Sequence, residues 1–229
     1  MDLIATKKAD DLKAFYLANE YETTEHFFTT TSTNNIAYRK KMDAFIRTSI
    51  QNEIDDLFKN YTNLYSSFIV KKRGFKGKIG LHADWQFVEE PQFSAINIWI
   101  ALSDLNKNSA TLKVVPASYK LVNQMRGPNY VLDKSLYSYQ DKLKTIPLKK
   151  GQAIIYDTRL LHASSNNLLH KKRIVASALV VPEEAPILYN YFNANDTTKF
   201  SSNVVDKNFY LEKCNFKAVN GVWEKAETN

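Results

Sequence analysis

Cysteine is almost missing from this chain of 229 residues, since Cys214 is the only one. An intramolecular disulfide is therefore excluded, which fits a reducing, cytoplasmic setting. Long apolar runs are missing as well. No stretch reaches the ~18–20 residues that a membrane-spanning helix needs, and the opening "MDLIATKKADD" has no apolar core of the kind a secretory signal carries. Glycine and proline are scarce, six of each, and no repeat or low-complexity segment interrupts the chain. That length without a linker is expected to make one domain around one sizeable core. Histidine is scarce too, with four: His26, His82, His162 and His170.

Positive charge is plentiful. The formal net charge is +7, and Lys and Arg cluster in "KKRGFKGK" (71–78), "DKLKTIPLKK" (141–150) and "HKKR" (170–173). Such runs most often form solvated loops. No recognition helix, zinc finger or RNA-binding motif accompanies them, so nucleic acid is not an expected partner.

Two periods organise the chain. Residues 10–20 and 35–59 read as helices. In the second, Met42, Phe45, Ile46, Ile50, Ile54, Leu57 and Phe58 recur at helical spacing and make a packing face. From Tyr61 onward the period is that of strands. In "SAINIWIALSD", Ser94, Ile96, Ile98, Ile100 and Leu102 face one way, while Ala95, Asn97, Trp99 and Ala101 face the other. "YSSFIVKK", "TLKVVP", "QAIIYDTRLLH" and "RIVASALVVP" add further β-rich runs. Short strands following helices, without helical crossovers, predict a mainly β fold of antiparallel sandwich or barrel type. The chain then divides into a helical support (1–60), a β core (61–185) and a C-terminal extension (186–229) that wraps the core or frays. The polar, Tyr-rich stretch 120–146 interrupts the strands and reads as a lid over one end.

The stretch "LHADWQFVEEP" (81–91) carries the chemistry. On a strand, residues i and i+2 share a face, so His82 and Asp84 can offer a nitrogen and a carboxylate oxygen to one point. A second histidine would complete a two-His, one-carboxylate triad, which leaves open positions on a non-haem Fe(II). His162, at the end of "QAIIYDTRLLH", is the best placed, since His26 precedes the strands and His170 sits in a lysine-rich turn. A core histidine bonded to a backbone carbonyl is the plainer reading of His162 taken alone. Eleven residues on, across a turn-like segment, Arg173 opens the next run. His162 and Arg173 are thus expected on adjacent antiparallel strands, roughly 5 Å apart. There the arginine could grip the far carboxylate of a dicarboxylate bound to the iron. Alternatively it is a surface residue of the basic run.

Taken together, "HADWQFVEE", "NIWIALSD", "LKVVPASYK", "RGPN", "GQAIIYDTRLLHASSNN" and "KKRIVASALVVP" resemble the phytanoyl-CoA dioxygenase-like family over roughly residues 65–185. These are Fe(II)/2-oxoglutarate-dependent oxygenases on a double-stranded β-helix, the jelly-roll or cupin-like barrel. The resemblance implies that His82, Asp84 and His162 hold iron, and that Arg173 holds 2-oxoglutarate with help from Ser164 and Ser177. Lys71 and Asn97 are further candidates for the same cosubstrate. It implies a dioxygenase that uses O2, typically to hydroxylate an unactivated C–H of a small molecule, amino acid or peptide-like substrate, releasing succinate and CO2. Halogenating relatives lack the carboxylate ligand, so Asp84 argues against halogenation. Trp85, Gln86, Arg126, Asn129, Tyr130, Tyr137 and Tyr156 are expected to line the substrate mouth. Arg126 would then meet an anionic group, or else Arg126 and Tyr137 stabilise the lid. The reading from another class is a catalytically silent jelly-roll that binds a small molecule or a protein partner.

Overall fold

A computed structural model describes residues 1–90, 92–128, 130–193, 196–213, 216–219 and 222–225. Two helices open the chain, α1 (Thr6–Ala18) and α2 (Ile36–Leu57), with the short strand β1 (Phe27–Thr29) between them. The main strands follow: β2 (Tyr61–Lys71), β3 (Ile79–His82), β4 (Ile96–Ala101), β5 (Leu112–Val114), β6 (Lys144–Thr145), β7 (Ala153–Asp157), β8 (His162–Ser164) and β9 (Arg173–Pro182). They form two sheets, one of five strands in the order β1-β2-β9-β4-β7 and one of four in the order β3-β8-β5-β6. The pairings are antiparallel. The two sheets face each other as a jelly roll, and hydrogen bonds do not close them into a barrel. No helix among the described residues is long and apolar enough to cross a membrane.

The five-stranded sheet is covered on both faces. Ile98 and Ile100 of β4, Phe68 and Val70 of β2, and Ile174, Ala176, Ala178 and Val180 of β9 pack against the helices. The alternate residues Trp99, Ala101, Tyr156 and Val175 meet Leu112 and Val114 of the smaller sheet. That is why "RIVASALVVP" is a continuous apolar run. All ten of its residues are buried, as a strand sandwiched on both sides requires.

Helix α2 is started by Asn35, whose side-chain oxygen accepts a hydrogen bond from the Tyr38 amide at 2.9 Å, an N-cap that satisfies one otherwise orphaned donor. Its stripe buries Met42, Ile46, Ile50 and Ile54 completely, whereas Leu57 at the C-terminal end is 40% exposed. Ile50→Ala is therefore expected to cost about 2–5 kcal/mol in denaturant unfolding. Leu57→Ala should change stability by no more than about 0.5 kcal/mol. Equal effects would contradict this packing.

One expectation is corrected. "QAIIYDTRLLH" is not one strand. The Asp157 carboxylate accepts the Arg159 amide at 2.9 Å, and the Leu160 amide closes onto Asp157 O at 2.8 Å, so the chain turns sharply. β7 ends there in the larger sheet, and His162 opens β8 in the smaller one. His162 and Arg173 consequently lie on opposing sheets rather than on adjacent strands. The stretch 120–146 holds two 3-10 segments, Ser118–Lys120 at its start and Lys134–Lys142. It packs inward: Val122, Tyr130, Leu132 and Leu136 join Leu81, Ala83, Trp85 and Phe87 in one buried cluster. Beyond β9, β10 (Ile187–Asn193) and β11 (Asp196–Val205) form a hairpin. Ile187, Tyr189 and Phe192 bury against the same cluster, so the extension wraps the core up to this point. The short α3 (Phe209–Glu212) and the hairpin of β12 (Phe216–Val219) and β13 (Val222–Lys225) follow.

Candidate metal centre

Where β3 pairs with β8, His82 stands opposite His162, and their rings lie 4.1 Å apart between centroids. Asp84 follows just past the end of β3, pinned by its amide to Thr158 O at 2.9 Å. Its Oδ1 is 3.6 Å from His162 Nε2 and 4.0 Å from His82 Nε2. One ligand atom from each residue falls within 4.8 Å of the others. Among the described residues this is the one such group of three or more His, Cys, Asp or Glu.

The backbone decides which imidazole nitrogens face the centre. His82 Nδ1 lies 2.9 Å from Gly80 O, and His162 Nδ1 lies 2.8 Å from Leu160 O. A carbonyl can only accept, so each Nδ1 carries a proton and each Nε2 is the nitrogen left facing the centre. Burial and the neighbouring His162 push the His82 pKa down to about 4. The imidazole is therefore neutral at ordinary pH, which is the form that binds a metal.

Asp84 is oriented from behind. Its Oδ2 accepts from Asn97 Nδ2 at 3.2 Å, and Asn97 Oδ1 in turn accepts from Ser177 Oγ at 2.7 Å. Tyr156 also bonds the Asp84 carboxylate, and burial together with that negative charge holds its phenol well above the ordinary 10. Asn97, Ser177 and Tyr156 thus fix the carboxylate, leaving Oδ1 aimed at the two imidazole nitrogens. Tyr130 supports the same segment from the other side. Its hydroxyl donates to Ala83 O at 2.5 Å and accepts from the Ala83 amide at 3.2 Å.

Next to the triad is a buried pair of basic side chains. Lys71 and Arg173 are register partners on β2 and β9, 0% and 3% exposed. Lys71 Nζ reaches across to the other sheet, donating to Ser164 Oγ at 2.7 Å and Ser165 O at 2.9 Å. Burial, then the Arg173 charge, lowers its pKa to about 6. Arg173 lies over the Trp99 ring, 5.3 Å from Cζ to centroid, and burial lowers its pKa to about 9. Its Nε and Nη2 are buried and have no hydrogen-bond partner among the described residues. A buried guanidinium without an acceptor is costly, so these donors fit an anion from outside the chain. A carboxylate matches their paired geometry.

The remaining expected residues divide. Trp85 lines a cleft open to solvent with Asp84, Asn97 and Ser177. Gln86 is buried, donating to Val88 O at 3.2 Å. Tyr137 is 46% exposed on the insertion, and Asn129 lies outside the described residues. Arg126 does not meet the cleft. Its guanidinium is 0% exposed and pairs with Glu90, Nη2 to Oε1 and Oε2 at 2.8 and 2.9 Å, while Nε holds Asp84 O at 2.7 Å. Of the two roles left open for Arg126, the supporting one therefore matches its contacts. Arg126→Ala is expected to lower unfolding stability by about 3–5 kcal/mol, because Glu90 would be left buried without its partner. An unchanged stability with a raised KM would return Arg126 to the substrate.

Thr29, Thr31, Tyr65, Ser67, Ile69 and Phe87 complete the cleft, and none was singled out from the sequence. Tyr65, Ser67 and Ile69 had a signal, since they share the strand face of Lys71 by the period of two. Nothing in "TTTSTNN" marks Thr29 and Thr31.

A two-sheet jelly roll that converges two imidazoles and one carboxylate is the framework of mononuclear non-haem iron oxygenases. The family model for Phytanoyl-CoA dioxygenase (PhyH) matches residues 5–175. The chain therefore belongs to the phytanoyl-CoA dioxygenase family of Fe(II)/2-oxoglutarate-dependent oxygenases. No match is found among curated proteins. Among solved structures, the non-heme alpha ketoglutarate dependent carbocyclase SnoK from nogalamycin biosynthesis superposes with a TM-score of 0.59 at 15% identity, covering 81% of this chain and 79% of that one. The epimerase SnoN, in complex with Fe3+, alpha ketoglutarate and nogalamycin RO, gives 0.56 at 15% identity, covering 81% and 78%. HygX from Streptomyces hygroscopicus, with nickel, 2-oxoglutarate and hygromycin B bound, gives 0.57 at 10% identity, covering 80% and 81%. At these identities the likeness is one of fold.

Proposed function

We propose that this chain oxidises an unactivated C–H bond of a small molecule, with hydroxylation as the outcome. In this reading His82 Nε2, Asp84 Oδ1 and His162 Nε2 hold iron, and Arg173 holds the distal carboxylate of 2-oxoglutarate. The observation that carries it is the coincidence of the triad with a buried arginine whose Nε and Nη2 have no partner. Bound iron with 2-oxoglutarate supplies O2 activation coupled to release of succinate and CO2.

The chain's own residues do the positioning. Gly80 O and Leu160 O set both imidazole tautomers, while Asn97, Ser177 and Tyr156 hold Asp84 so that one oxygen points inward. Lys71 is engaged with Ser164 and Ser165, so it ties the two sheets together beside the anion site. Tyr65, Trp85 and Phe87 wall the cleft with rings, which limits water beside the reacting carbon. Thr29, Thr31 and Ser67 add hydroxyls, and no cationic side chain lines the cleft among the described residues. With Arg126 occupied by Glu90, the group that enters is best matched as neutral and hydroxyl- or amide-bearing rather than anionic. The small molecules named with SnoN and HygX, nogalamycin RO and hygromycin B, support a small-molecule substrate.

The experiment is a substrate screen read by succinate release and product mass, pairing each neutral compound with a carboxylated analogue. A mass gain of one oxygen on a neutral compound is the expected result. Turnover confined to anionic compounds would overturn the substrate reading. An isomerised or cyclised product would overturn hydroxylation. A chain that binds neither Fe(II) nor 2-oxoglutarate would be a silent jelly-roll.

A further inference from the structure

The two basic runs at 71–78 and 170–173 are nearly a hundred residues apart in sequence, yet the fold joins them. Asn167, fully buried, is the hub. Its carbonyl accepts the Gly74 amide at 3.0 Å. Its side-chain amide donates to Lys71 O at 3.1 Å and Lys171 O at 2.8 Å. Asn166 Oδ1 accepts the Gly77 amide at 3.1 Å, and Arg73 Nη1 lies 3.1 Å from His170 Nδ1. Gly74, at φ +137°, packs against the His26 ring, which a Cβ would approach to 2.8 Å. The β2–β3 loop is thus braced against the loop that precedes β9.

On this braced platform the apolar side chains point out. Phe75 is 83% exposed, Leu168 49% and Leu169 41%. Around them Arg73, Lys76, Lys78 and Lys171 are exposed, and among the described residues none has a carboxylate partner. Lys172, by contrast, pairs with Glu20, and Lys72 donates to Thr23 O. Four cations without a carboxylate partner among the described residues, on the same braced loops as three protruding hydrocarbon side chains, are poor design for mere solubility. It matches a surface that is negative at its face and apolar just beneath. We propose that this patch docks the enzyme peripherally on an anionic lipid bilayer. Phe75, Leu168 and Leu169 enter the headgroup–acyl boundary while the four cations meet the headgroups. Charge alone would equally suit a nucleic acid, but two leucines offer nothing to stack on a base, and hydrocarbon beneath the charge favours the bilayer.

The test is flotation of the full chain with phosphatidylcholine vesicles, with and without phosphatidylserine, at low and raised salt. Binding is expected only with phosphatidylserine and should weaken with salt. Phe75→Ser combined with Leu168→Ser should reduce partitioning roughly tenfold or more. Lys76→Glu combined with Lys78→Glu should do the same. Both variants should melt like wild type, because the residues are exposed. Absence of binding to phosphatidylserine vesicles overturns the proposal. So does binding that the charge variant abolishes and the apolar variant leaves intact, or a single-stranded RNA homopolymer bound in preference to the vesicles.

Discussion

Arg173→Ala will bind 2-oxoglutarate about 30- to several-thousand-fold more weakly than wild type, while its Fe(II) affinity stays the same. The far carboxylate of a C5 dicarboxylate inside a jelly roll must be desolvated, so it must be paired. Arg173 is 3% exposed, and its Nε and Nη2 have no hydrogen-bond partner among the described residues. Removing it sacrifices no internal hydrogen bond at those atoms, and the loss should appear in cosubstrate binding rather than in folding. Arg173→Lys should fall between, since an ammonium supplies charge without two parallel donors. The measurement is 2-oxoglutarate affinity with iron bound, alongside the unfolding midpoint. If the alanine variant bound 2-oxoglutarate as wild type does, Lys71 across the register would be the true anchor, or the chain would use another cosubstrate.

The second large effect is at the triad. Asp84→Ala and His162→Ala are each expected to abolish substrate-linked succinate formation. Each should also weaken Fe(II) beyond the roughly 10- to 100-fold typical when a residue that merely supports a ligand is lost. Asn97→Ala supplies that milder comparison, because it frees Asp84 Oδ2 without removing a metal-directed atom. All three should remain folded, as none opens a large apolar cavity. Wild-type Fe(II) affinity in His162→Ala would show that the 3.6 Å approach of His162 to Asp84 is an ordinary internal contact.

How much of this was legible in the sequence depended on whether a short-range rule governed it. The period of two placed His82 and Asp84 on one side, and it correctly split Asn97 and Trp99 from Ile98 and Ile100. Helical spacing found the buried stripe of α2 except at Leu57, where the helix end is solvated. The turn at Asp157 was hidden because the apolar run continues through it, so His162 was assigned to the wrong strand and sheet. Arg126 in "RGPN" resembled a substrate anchor because its partner Glu90 is 36 residues away. The adjoining Gly127 has a backbone reason, as a Cβ there would lie 1.9 Å from Asn190 O. Asn97 and Ser177, expected beside the cosubstrate, also form a hydrogen-bond chain onto Asp84. That chain joins β4, β9 and the segment just past β3, and no local pattern announces it. The meeting of the two basic loops at Asn167 is likewise a property of topology.

The central claim is that the triad and Arg173 form one site, in which iron comes first and 2-oxoglutarate second. Anaerobic calorimetric titration of the full chain with Fe(II), then with 2-oxoglutarate, tests it most directly, with Arg173→Ala and Asp84→Ala in parallel. The account predicts a single Fe(II) site, tight 2-oxoglutarate binding only after iron, loss of the second step alone in Arg173→Ala, and loss of both in Asp84→Ala. Binding of 2-oxoglutarate that is equal with and without iron, or identical in wild type and Arg173→Ala, would contradict it.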